Sequence, residues 1–283
     1  MTDCFLKLQE LMDSFPPTER RVALYILENR ETILGTGIGQ LSQACHTSKT
    51  SVVRLCKQLG YQGYKDFCQA ISAQKARDSM GDSFYGDLTP GASLREIIHD
   101  VYRRNLTGLQ STMQLLSVEE VGLAVEVLHT AKRVDFYGVG NSAIVALDGQ
   151  NKFLRIGKVS LTSMDPHVQI VCASSLGAGD VAVFLSYSGE TLDTLATLDV
   201  ALEAGATTLS ITKYAPNTLS NRAKINLRIA ASEGMARSGA KSSRLAMLHL
   251  VDILLSAVSA QEYEHVQPLL DRSLRAANLK RFK

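Results

Sequence analysis

The sequence has few cysteines, few prolines and no tryptophan, and it lacks a long apolar run. Its five cysteines are odd in number, and no two of them form a C-x-x-C pair. This argues against a disulfide framework and a zinc centre, and it favours reduced thiols in a cytoplasm. No apolar stretch approaches the roughly 18–20 residues of a membrane span, and the N-terminus carries acids, unlike a secretory signal. We therefore expect a cytoplasmic protein that contacts no membrane and needs no metal or cofactor.

The net charge is only +2, but basic residues are concentrated in one segment. Residues 40–77 carry six lysines and arginines against the single acid Asp66, a local charge of +5, so the rest of the chain sums to −3. A compact basic patch on a nearly neutral protein predicts contact with a polyanion. We interpret the cysteines of this segment, Cys45, Cys56 and Cys68, as small buried residues.

The 283 residues are enough for two domains, and the chain divides at 78–92, where Gly, Ser, Asp and Pro replace the helical periodicity of both neighbours. We interpret this stretch as an interdomain linker. Before it, apolar spacing predicts helices only, at about 3–14, 17–30, 38–45, 48–59 and 63–74. After it, a long helix is predicted at 93–116, and a second helix starts at Ser117 with Glu120 three residues on.

From Arg133 onward the pattern changes to short apolar strands that alternate with amphipathic segments. The predicted strands lie at about 133–137, 158–162, 180–186, 206–212 and 224–230. Such alternation predicts βαβ units and a parallel five-stranded sheet with helices on both faces. Helices at about 238–260 and 262–277 would close the domain. The expected fold is thus an all-α N-terminal domain followed by an α/β domain.

Two of the predicted short helices, within residues 38–67, are joined by a tight turn, which is typical of a helix-turn-helix. The second helix begins at Ser48, and in such units it enters the major groove of DNA. Its outward residues would contact DNA: Ser48, Lys49, Thr50, Ser51, Arg54 and Lys57. Taken alone, the basic charges are also explained by a helix face that is exposed to solvent and binds nothing. Periodicity, turn, cap and charge together favour DNA binding.

The segment TSKTSVVRLCKQLGYQGYKDF at 47–67 also resembles the N-terminal domain of the RpiR family of bacterial transcription regulators. That family typically has Val-Ser at the turn, Thr-Val-x-Arg-Phe in the recognition helix and then Leu-Gly-Phe-x-Gly-Phe. This chain departs from the pattern conservatively, at Thr47, Ser51, Leu55 and two tyrosines. The resemblance covers about residues 1–77 and implies that they form a helix-turn-helix DNA-binding domain.

Two loops of similar composition follow predicted strands: FYGVGNSA at 136–143 and SYSGET at 186–191. Open α/β sheets bind ligands at the carboxyl ends of their strands, and a helix N-terminus suits a phosphate. Glycines let the backbone approach closely, and each hydroxyl can donate one hydrogen bond. Neither loop contains lysine or arginine. Neutral donors would hold a phosphate with modest, reversible affinity, which suits a sensor of metabolite concentration.

Two alternatives remain open for these loops. Gly138-Val-Gly140-Asn-Ser-Ala143 also matches the G-x-G-x-x-G/A dinucleotide fingerprint, with Asp165 placed as a candidate ribose ligand near the next predicted strand. The second loop has no role in a dinucleotide site. Alternatively, Ser186 and Ser188 would only cap the helix that follows them.

The two loops resemble the paired phosphosugar loops of the SIS (sugar isomerase) domain, usually G-x-G-x-S and S-x-S-G-x-T. RpiR regulators carry this domain after their helix-turn-helix, and NKFLRIG, Asp165-x-His167 and SRLAMLHLVDIL are also similar to it. The resemblance implies a flavodoxin-like five-stranded fold in which a sugar phosphate is bound by Gly140, Asn141, Ser142, Ser186, Ser188, Gly189 and Thr191. Glu233, after the last strand, is a candidate for the sugar hydroxyls. The roles of Asp165 and His167 stay open.

SIS folds also occur in isomerases, which need a general base near the reacting carbon, so a phosphosugar isomerase is the alternative function. The candidate bases are Glu190, His167, Glu233 and His249, but their spacing identifies no acid–base pair. An isomerase also has no use for a basic helix-turn-helix. A DNA-binding scaffold, in turn, would leave the two loops unexplained.

We therefore expect a bacterial transcription regulator of carbohydrate-metabolism genes rather than an enzyme. It would bind double-stranded operator DNA, sense a sugar-phosphate effector and act as a homodimer or a dimer of dimers. The expected divisions are a DNA-binding domain at 1–77, a linker at 78–92, a coupling helix at 93–119 and a phosphosugar domain at 120–283.

Overall fold

The structure, a computed structural model, describes residues 4–30, 32–78, 92–230 and 241–278. The chain divides into a smaller unit, residues 1–93 and 214–216, and a larger unit, residues 94–213 and 217–283. Each unit has an apolar core of its own. The predicted linker at 78–92 falls almost wholly outside the described residues, so its role stays a prediction.

The described residues of the smaller unit form helices and no strand. The helices are α1 (Cys4–Glu10), α2 (Pro17–Glu28), α3 (Ile38–Ala44), α4 (Lys49–Gln58) and α5 (Tyr64–Asp78). The helix predicted at 3–14 is divided, because a 3-10 turn at Met12–Ser14 follows α1. The Ser14 hydroxyl donates to the Leu11 carbonyl at 2.6 Å and supports this tighter turn.

Each helix of the smaller unit contributes a fully buried apolar side chain to the core: Leu8, Ile26, Leu41, Leu55 and Phe67. Burying an apolar side chain of this size contributes about 1.5–3 kcal/mol to the stability of the folded unit. Because α4 packs against α2, α3 and α5, one of its faces lies at the centre of the unit and the opposite face is left to solvent. Cys45 and Cys56 are buried, whereas Cys68 is only partly buried.

The larger unit alternates strands and helices, which confirms the predicted fold class of an α/β domain after an all-α region. Its strands are β1 (Val134–Tyr137), β2 (Val181–Leu185), β3 (Thr207–Lys213) and β4 (Ile225–Ile229). Its helices are α6 (Leu94–Leu115), α7 (Val118–Thr130), α8 (Asn141–Arg155), α9 (Pro166–Ser174), α10 (Leu192–Glu203), α11 (Thr218–Arg222), α12 (Lys241–Gln261) and α13 (Tyr263–Asn278).

The four strands are parallel and lie across the sheet in the order β1-β2-β3-β4. Val134 of β1 lies beside Val181 of β2, and Val181 lies beside Thr207 of β3. One face of the sheet packs against α7, α8 and α12, and the other face packs against α9 and α10. Successive residues of β2 belong to opposite faces, for example Val183 and Phe184. Burial on both faces explains why β2 is a continuous apolar run.

The prediction of a fifth strand at 158–162 is wrong, because this segment forms only an isolated parallel bridge between Arg133 and Val159. It lies along the outer edge of β1. The chain therefore leaves β1 for that edge, returns across the sheet through α9, and enters β2 on the other side of β1. Such a reversal of strand order is the topological switch point at which open α/β sheets bind ligands.

Backbone and side-chain hydrogen bonds together hold the edge segment to β1. The Val134 N–H donates to the Val159 carbonyl at 2.9 Å, and the Phe136 N–H donates to the Leu161 carbonyl at 3.0 Å. The Ser160 hydroxyl donates to the Val134 carbonyl at 2.5 Å, and the Leu161 N–H donates to the Asp135 carboxylate at 2.9 Å. Asp135 is buried, and the Arg133 guanidinium donates to both of its oxygens, at 2.6 and 2.9 Å. The edge segment is thus anchored to β1 without continuing the ladder.

The long helix α6 packs within the larger unit, against α12 and β4. Its Thr112 is buried, and the hydroxyl donates to the Ala230 carbonyl at 3.0 Å and accepts the Ala230 N–H at 3.1 Å. Within the described residues, α12 alone is long and apolar enough to cross a membrane. Its side chains Leu250 and Leu254 instead lie in the core beside the sheet.

Candidate functional sites

The loop after β1 brings two glycines to the N-terminus of α8. Gly140 precedes the helix with a φ of +61°, a conformation that favours glycine. A Cβ on Gly138 would lie 2.9 Å from the carbonyl carbon of Ser142 and 3.0 Å from the Leu185 carbonyl oxygen, so a larger residue would displace the backbone. Asn141 is exposed in the first turn of α8. Within the described residues nothing hydrogen-bonds the Ser142 hydroxyl, which leaves it able to donate to a ligand.

The β1 loop is held in place by Gln169, a buried side chain of α9. Its Nε2 donates to the Gly138 and Ser163 carbonyls, both at 2.7 Å, and its Oε1 accepts the Gly138 N–H at 3.2 Å. One amide therefore satisfies both backbone groups of Gly138. Sequence reasoning missed Gln169, because nothing in the pattern of a nine-residue helix marks one glutamine as facing a loop.

The loop after β2 is built around Ser186, which is buried. Its hydroxyl accepts the Gly189 N–H at 3.1 Å and lies 3.4 Å from the Thr191 hydroxyl. The Ser188 hydroxyl accepts the Glu190 N–H at 3.2 Å. Thr191 is the N-cap residue of α10, but its side chain makes no capping hydrogen bond. The serines therefore order the loop itself, and neither of them caps α10.

Two residues of this loop contact the start of α11. Gly189 has a φ of +70°, and a Cβ there would overlap the side-chain oxygen of Asn217. Asn217 is buried and caps α11, because its Oδ1 accepts the Ser220 N–H at 2.9 Å. Glu190 accepts the Thr218 N–H at 2.8 Å, and this hydrogen bond lowers the pKa of the Glu190 carboxyl below its usual value. Sequence reasoning missed Asn217 as the neighbour of Gly189.

The two loops lie side by side, because β1 and β2 are adjacent and Tyr137 of β1 pairs with Phe184 of β2 near their carboxyl ends. The topology therefore brings most of the predicted phosphosugar residues to one end of the sheet, at the switch point. They are Gly140, Asn141, Ser142, Ser186, Ser188, Gly189 and Thr191. With no lysine or arginine in either loop, this end of the sheet offers hydroxyl and backbone N–H donors, which can bind a phosphate.

Three other predicted candidates have different outcomes. Asp165 caps α9, since its carboxylate accepts the His167 N–H at 2.9 Å, and this accounts for Asp165 without a ribose. His167 is exposed at the start of the same helix. Glu233 lies outside the described residues, so its assignment to sugar hydroxyls stays a prediction. In the part of the chain that the structure describes, no group of three or more His, Cys, Asp or Glu side chains could hold a metal ion.

In the smaller unit, α3 and α4 are joined by the predicted tight turn. His46 adopts a φ of +47° there, which is uncommon for a residue other than glycine and reverses the chain within a few residues. The Thr47 N–H donates to the Ser42 carbonyl at 2.8 Å. Ser48 caps α4, because its hydroxyl accepts the Ser51 N–H at 3.2 Å. These are the elements of a helix-turn-helix.

Five of the six predicted DNA-contacting residues are exposed on α4 or at its cap: Ser48, Lys49, Thr50, Arg54 and Lys57. The sixth, Ser51, is buried, and its hydroxyl is bonded to the Ser48 hydroxyl at 3.1 Å and to Arg54 Nη2 at 3.3 Å. A DNA contact by Ser51 would require these bonds to break. Arg54 also forms an ion pair with Glu19 of α2 at 2.8 Å, a partner that sequence reasoning missed.

Comparison with known proteins assigns both units. Residues 2–78 match the helix-turn-helix domain of the rpiR family, and residues 127–257 match the SIS domain. The chain is 35% identical over 281 residues to an uncharacterized HTH-type transcriptional regulator of Caldanaerobacter subterraneus, with 99% of each protein covered. It is 32% identical to the uncharacterized HTH-type transcriptional regulator YbbH of Bacillus subtilis, over 98% of this chain and 97% of the relative.

A similar solved structure is that of the Vibrio vulnificus NanR protein complexed with ManNAc-6P. It has a TM-score of 0.63 and 27% sequence identity, and the comparison covers 99% of this chain and 100% of the other. The relatives match along nearly the whole chain, so they carry both the helical unit and the α/β unit. The resemblance noted from the sequence is confirmed: the chain belongs to the RpiR family of helix-turn-helix transcriptional regulators with an SIS domain.

Proposed function

We propose that this protein regulates transcription by binding operator DNA through α3 and α4 and by sensing a sugar phosphate in its larger unit. The observation that carries the proposal is the placement of two glycine–hydroxyl loops at the carboxyl ends of the adjacent strands β1 and β2. A protein that only bound DNA would need neither the switch-point topology nor these donors.

The hydrogen bonds of the two loops leave protons available for an anion. A hydroxyl has one donor and two acceptor positions. Because the Ser188 hydroxyl accepts a backbone N–H, its proton remains available for donation. The Ser186 hydroxyl also accepts a backbone N–H, and the hydrogen bond between Ser186 and Thr191 leaves one proton of that pair for a ligand. Ser142 donates from the first turn of α8, and the positive φ of Gly140 turns the backbone into that helix. We propose that these groups, together with Thr191, surround one phosphate.

The loop residues support binding of a phosphate, whereas the proposal that a sugar carries this phosphate is supported by similarity to the family. The solved NanR structure is a complex with ManNAc-6P, which is a property of that protein. It supports a sugar phosphate as the class of effector here. Neutral donors predict modest affinity, so the site would empty and fill as the metabolite concentration changes.

DNA binding is supported by the outward face of the helix-turn-helix. Lys49, Thr50, Arg54 and Lys57 are exposed on α4, whose buried face packs onto α2, α3 and α5. Lysine and arginine on a recognition helix bind phosphates and guanine edges, and their contribution falls steeply with salt. The protein would therefore bind operator DNA in a salt-sensitive manner.

We propose that the SIS domain here senses its ligand and does not isomerise it. A general base works best with a pKa near the operating pH, and carboxylate bases are usually raised towards neutrality. The hydrogen bond from Thr218 shifts the pKa of Glu190 in the opposite direction. Glu190 therefore serves better as the anchor of α11 than as a catalytic base.

We further propose that the regulator is a cytoplasmic homodimer or a dimer of dimers. A single stretch, 144–171, exposes eight large apolar residues: Ile144, Leu147, Leu154, Val159, Leu161, Met164, Val168 and Val171. Hydrogen bonds from Gln150 to Ser160 and from Gln169 to Ser163 make α8, the edge segment and α9 neighbours. Each of the eight side chains is at least 40% exposed, and an exposed group of large apolar residues marks an interaction surface. A second copy of the chain would cover this face.

The division of the chain is also part of the proposal. Residues 78–92 would link the DNA-binding domain at 1–77 to the rest, and the predicted coupling segment at 93–119 contains α6. Since α6 packs on β4 and α12, a change in the larger unit would reach this helix. The effector must bind two states of the protein with different affinities for such coupling to act.

The experiment that tests the function is fluorescence anisotropy of the full-length protein on its upstream DNA, titrated with sugar phosphates and their dephosphorylated sugars. We expect salt-sensitive DNA binding that one sugar phosphate changes and the free sugar does not. The variant Ser142→Ala/Ser186→Ala should bind DNA normally and lose the effector response. Ser174→Ala is the matched control, because this exposed serine bonds the Val171 carbonyl at the far end of α9.

The outcomes separate the candidate functions. Turnover of the sugar phosphate would favour the isomerase, and DNA binding that no sugar phosphate changes would remove the sensor. A double variant that still responds would place the phosphate elsewhere.

A further inference from the structure

Glu19 is a buried acid in the first turn of α2, which packs against α4. Its side chain is only 3% exposed. A carboxylate removed from water is costly unless a charged or hydrogen-bonding partner replaces its hydration. The partner is Arg54, whose Nη2 lies 2.8 Å from Glu19 Oε1. The arginine predicted to contact DNA is therefore tied to a helix other than its own.

Arg54 uses a single nitrogen for its hydrogen bonds within the described residues. Nη2 donates to Glu19 and to the Ser51 hydroxyl at 3.3 Å, and Ser51 is bonded in turn to the capping residue Ser48. The Arg54 side chain nevertheless remains 60% exposed. A guanidinium carries five N–H donors in a planar fork. The donors on Nε and Nη1 are thus left for a partner outside the described part of the chain.

We propose that Glu19 is a positioning residue, which fixes the orientation of Arg54 so that the free edge of the guanidinium contacts DNA in one geometry. The assignment rests on the proposed DNA binding of this unit. An arginine already held at one edge loses less rotamer freedom when DNA binds, and its fork favours bidentate contacts over diffuse attraction.

The charge of Glu19 has a second consequence. It offsets the charge of Arg54 and so weakens the sequence-independent attraction to DNA phosphates, which depends on the number of cations that replace counterions. Both effects increase the ratio of specific to non-specific affinity. Glu19 therefore contributes to sequence discrimination, although it need not touch DNA.

Glu19→Gln tests this assignment, because it keeps the shape of the side chain and removes the charge. The full-length protein is titrated by anisotropy with two duplexes, at low and at physiological salt. One duplex is selected by the wild-type protein from a random pool, and the other is its scrambled counterpart. We expect the ratio of the two affinities to fall about tenfold, with scrambled-duplex binding equal or tighter and a salt dependence steeper by about one phosphate contact.

Two controls separate positioning from a merely structural ion pair. Glu28→Gln removes an exposed acid from the last residue of the same helix and should leave the ratio unchanged. In an Arg54→Ala background, Glu19→Gln should have no further effect on the ratio, since its effect acts through Arg54. If Glu19→Gln does not fold, Glu19→Asp carries the test, because it keeps the charge but withdraws the oxygen by one methylene.

The outcomes are distinct. A folded Glu19 variant with an unchanged ratio overturns the assignment while leaving DNA binding intact. An equal loss of discrimination in the Arg54→Ala background also overturns it, because Glu19 would then act by another route. Wild-type protein that selects no duplex overturns the proposed function of the unit, and the assignment falls with it.

Discussion

Replacing Gly189 by alanine tests the geometry of the β2 loop, on which the proposed phosphate site depends. Gly189 has a φ of +70°, and an added Cβ would overlap the Asn217 side chain. Asn217 is not free to move away without loss, because it caps α11 through Ser220 and its amide donates to the Thr212 hydroxyl at 3.0 Å. The substitution therefore combines a backbone cost with the displacement of a buried cap.

The loss of stability in Gly189→Ala is the sum of the backbone cost and the cost of displacing the Asn217 cap. A left-handed conformation costs a residue with a Cβ about 1–2 kcal/mol, and loss of an asparagine N-cap costs about 0.5–2 kcal/mol. Together they predict that the free energy of unfolding falls by about 1.5–4 kcal/mol. Gly205→Ala is the matched control, since Gly205 has a φ of +82° but no atom within 4 Å of its added Cβ. The free energy of unfolding of Gly205→Ala should fall only by the cost of the left-handed backbone, about 1–2 kcal/mol.

The assay is calorimetric unfolding of the full-length variants, together with titration of the sugar phosphate. For a domain of this size, 1 kcal/mol shifts the unfolding midpoint by about 2–4 °C, so Gly189→Ala should lower the Tm by roughly 3–16 °C, and by more than Gly205→Ala does. It should also abolish the effector response, whereas Gly205→Ala should retain it. Equal shifts for the two variants would refute the reasoning, because they would show that Asn217 does not lie against Gly189.

Three further changes have defined outcomes. Asp135→Ala removes the buried partner of Arg133 and of the Leu161 N–H, so it should cost about 3–5 kcal/mol and raise hydrogen exchange at Leu161. Thr112→Val leaves the Ala230 N–H without its acceptor and should cost about 1–3 kcal/mol, measured by denaturant unfolding against Thr130→Val on the surface. Burial raises the pKa of Cys56 to about 12, so about one thiol in 10⁴ is ionised at pH 8. An aromatic disulfide reagent should therefore modify Cys56 only after unfolding. Because Cys68 and Cys172 are only partly buried, the modified residue is located by peptide mass spectrometry, and rapid modification of Cys56 itself in the native protein would contradict its burial.

Periodicity in the sequence was sufficient to predict most of the fold. Within the strand predicted at 180–186, residues Val181–Leu185 are apolar throughout because both faces of the sheet are covered. Helices such as α4 have one apolar face because they pack on one side only. The two glycine–hydroxyl loops were also predictable, because their position after strands and before helices is a local property. Features that depend on neighbouring residues, such as strands, helices and the loops between them, could therefore be predicted from the sequence.

The errors and omissions arise from contacts between residues distant in sequence. Segment 158–162 has the composition of a strand, yet it forms only an isolated bridge to β1, and the side chains of Ser160 and Asp135 add hydrogen bonds to its short backbone pairing. The ion pair between Glu19 and Arg54 joins two helices, so neither residue's place in its own helix predicts it. Likewise, the space beyond Gly189 is filled by Asn217, which belongs to a later connection. None of these pairings leaves a periodic signal in one sequence.

Both proposed ligands are phosphates, but the chain would hold them by different physical means. On α4, lysine and arginine side chains would displace counterions from DNA, so that affinity falls steeply as salt rises. At the end of the sheet, hydroxyl and backbone donors would hold the sugar phosphate without a lysine or arginine in either loop, so that its affinity depends much less on salt. The coupling between them is reciprocal: an effector that weakens DNA binding by a given factor must itself bind more weakly, by the same factor, to the DNA-bound protein. Salt can therefore be used to vary occupancy of the DNA site while the effector site stays nearly constant, which makes the coupling free energy accessible from either ligand.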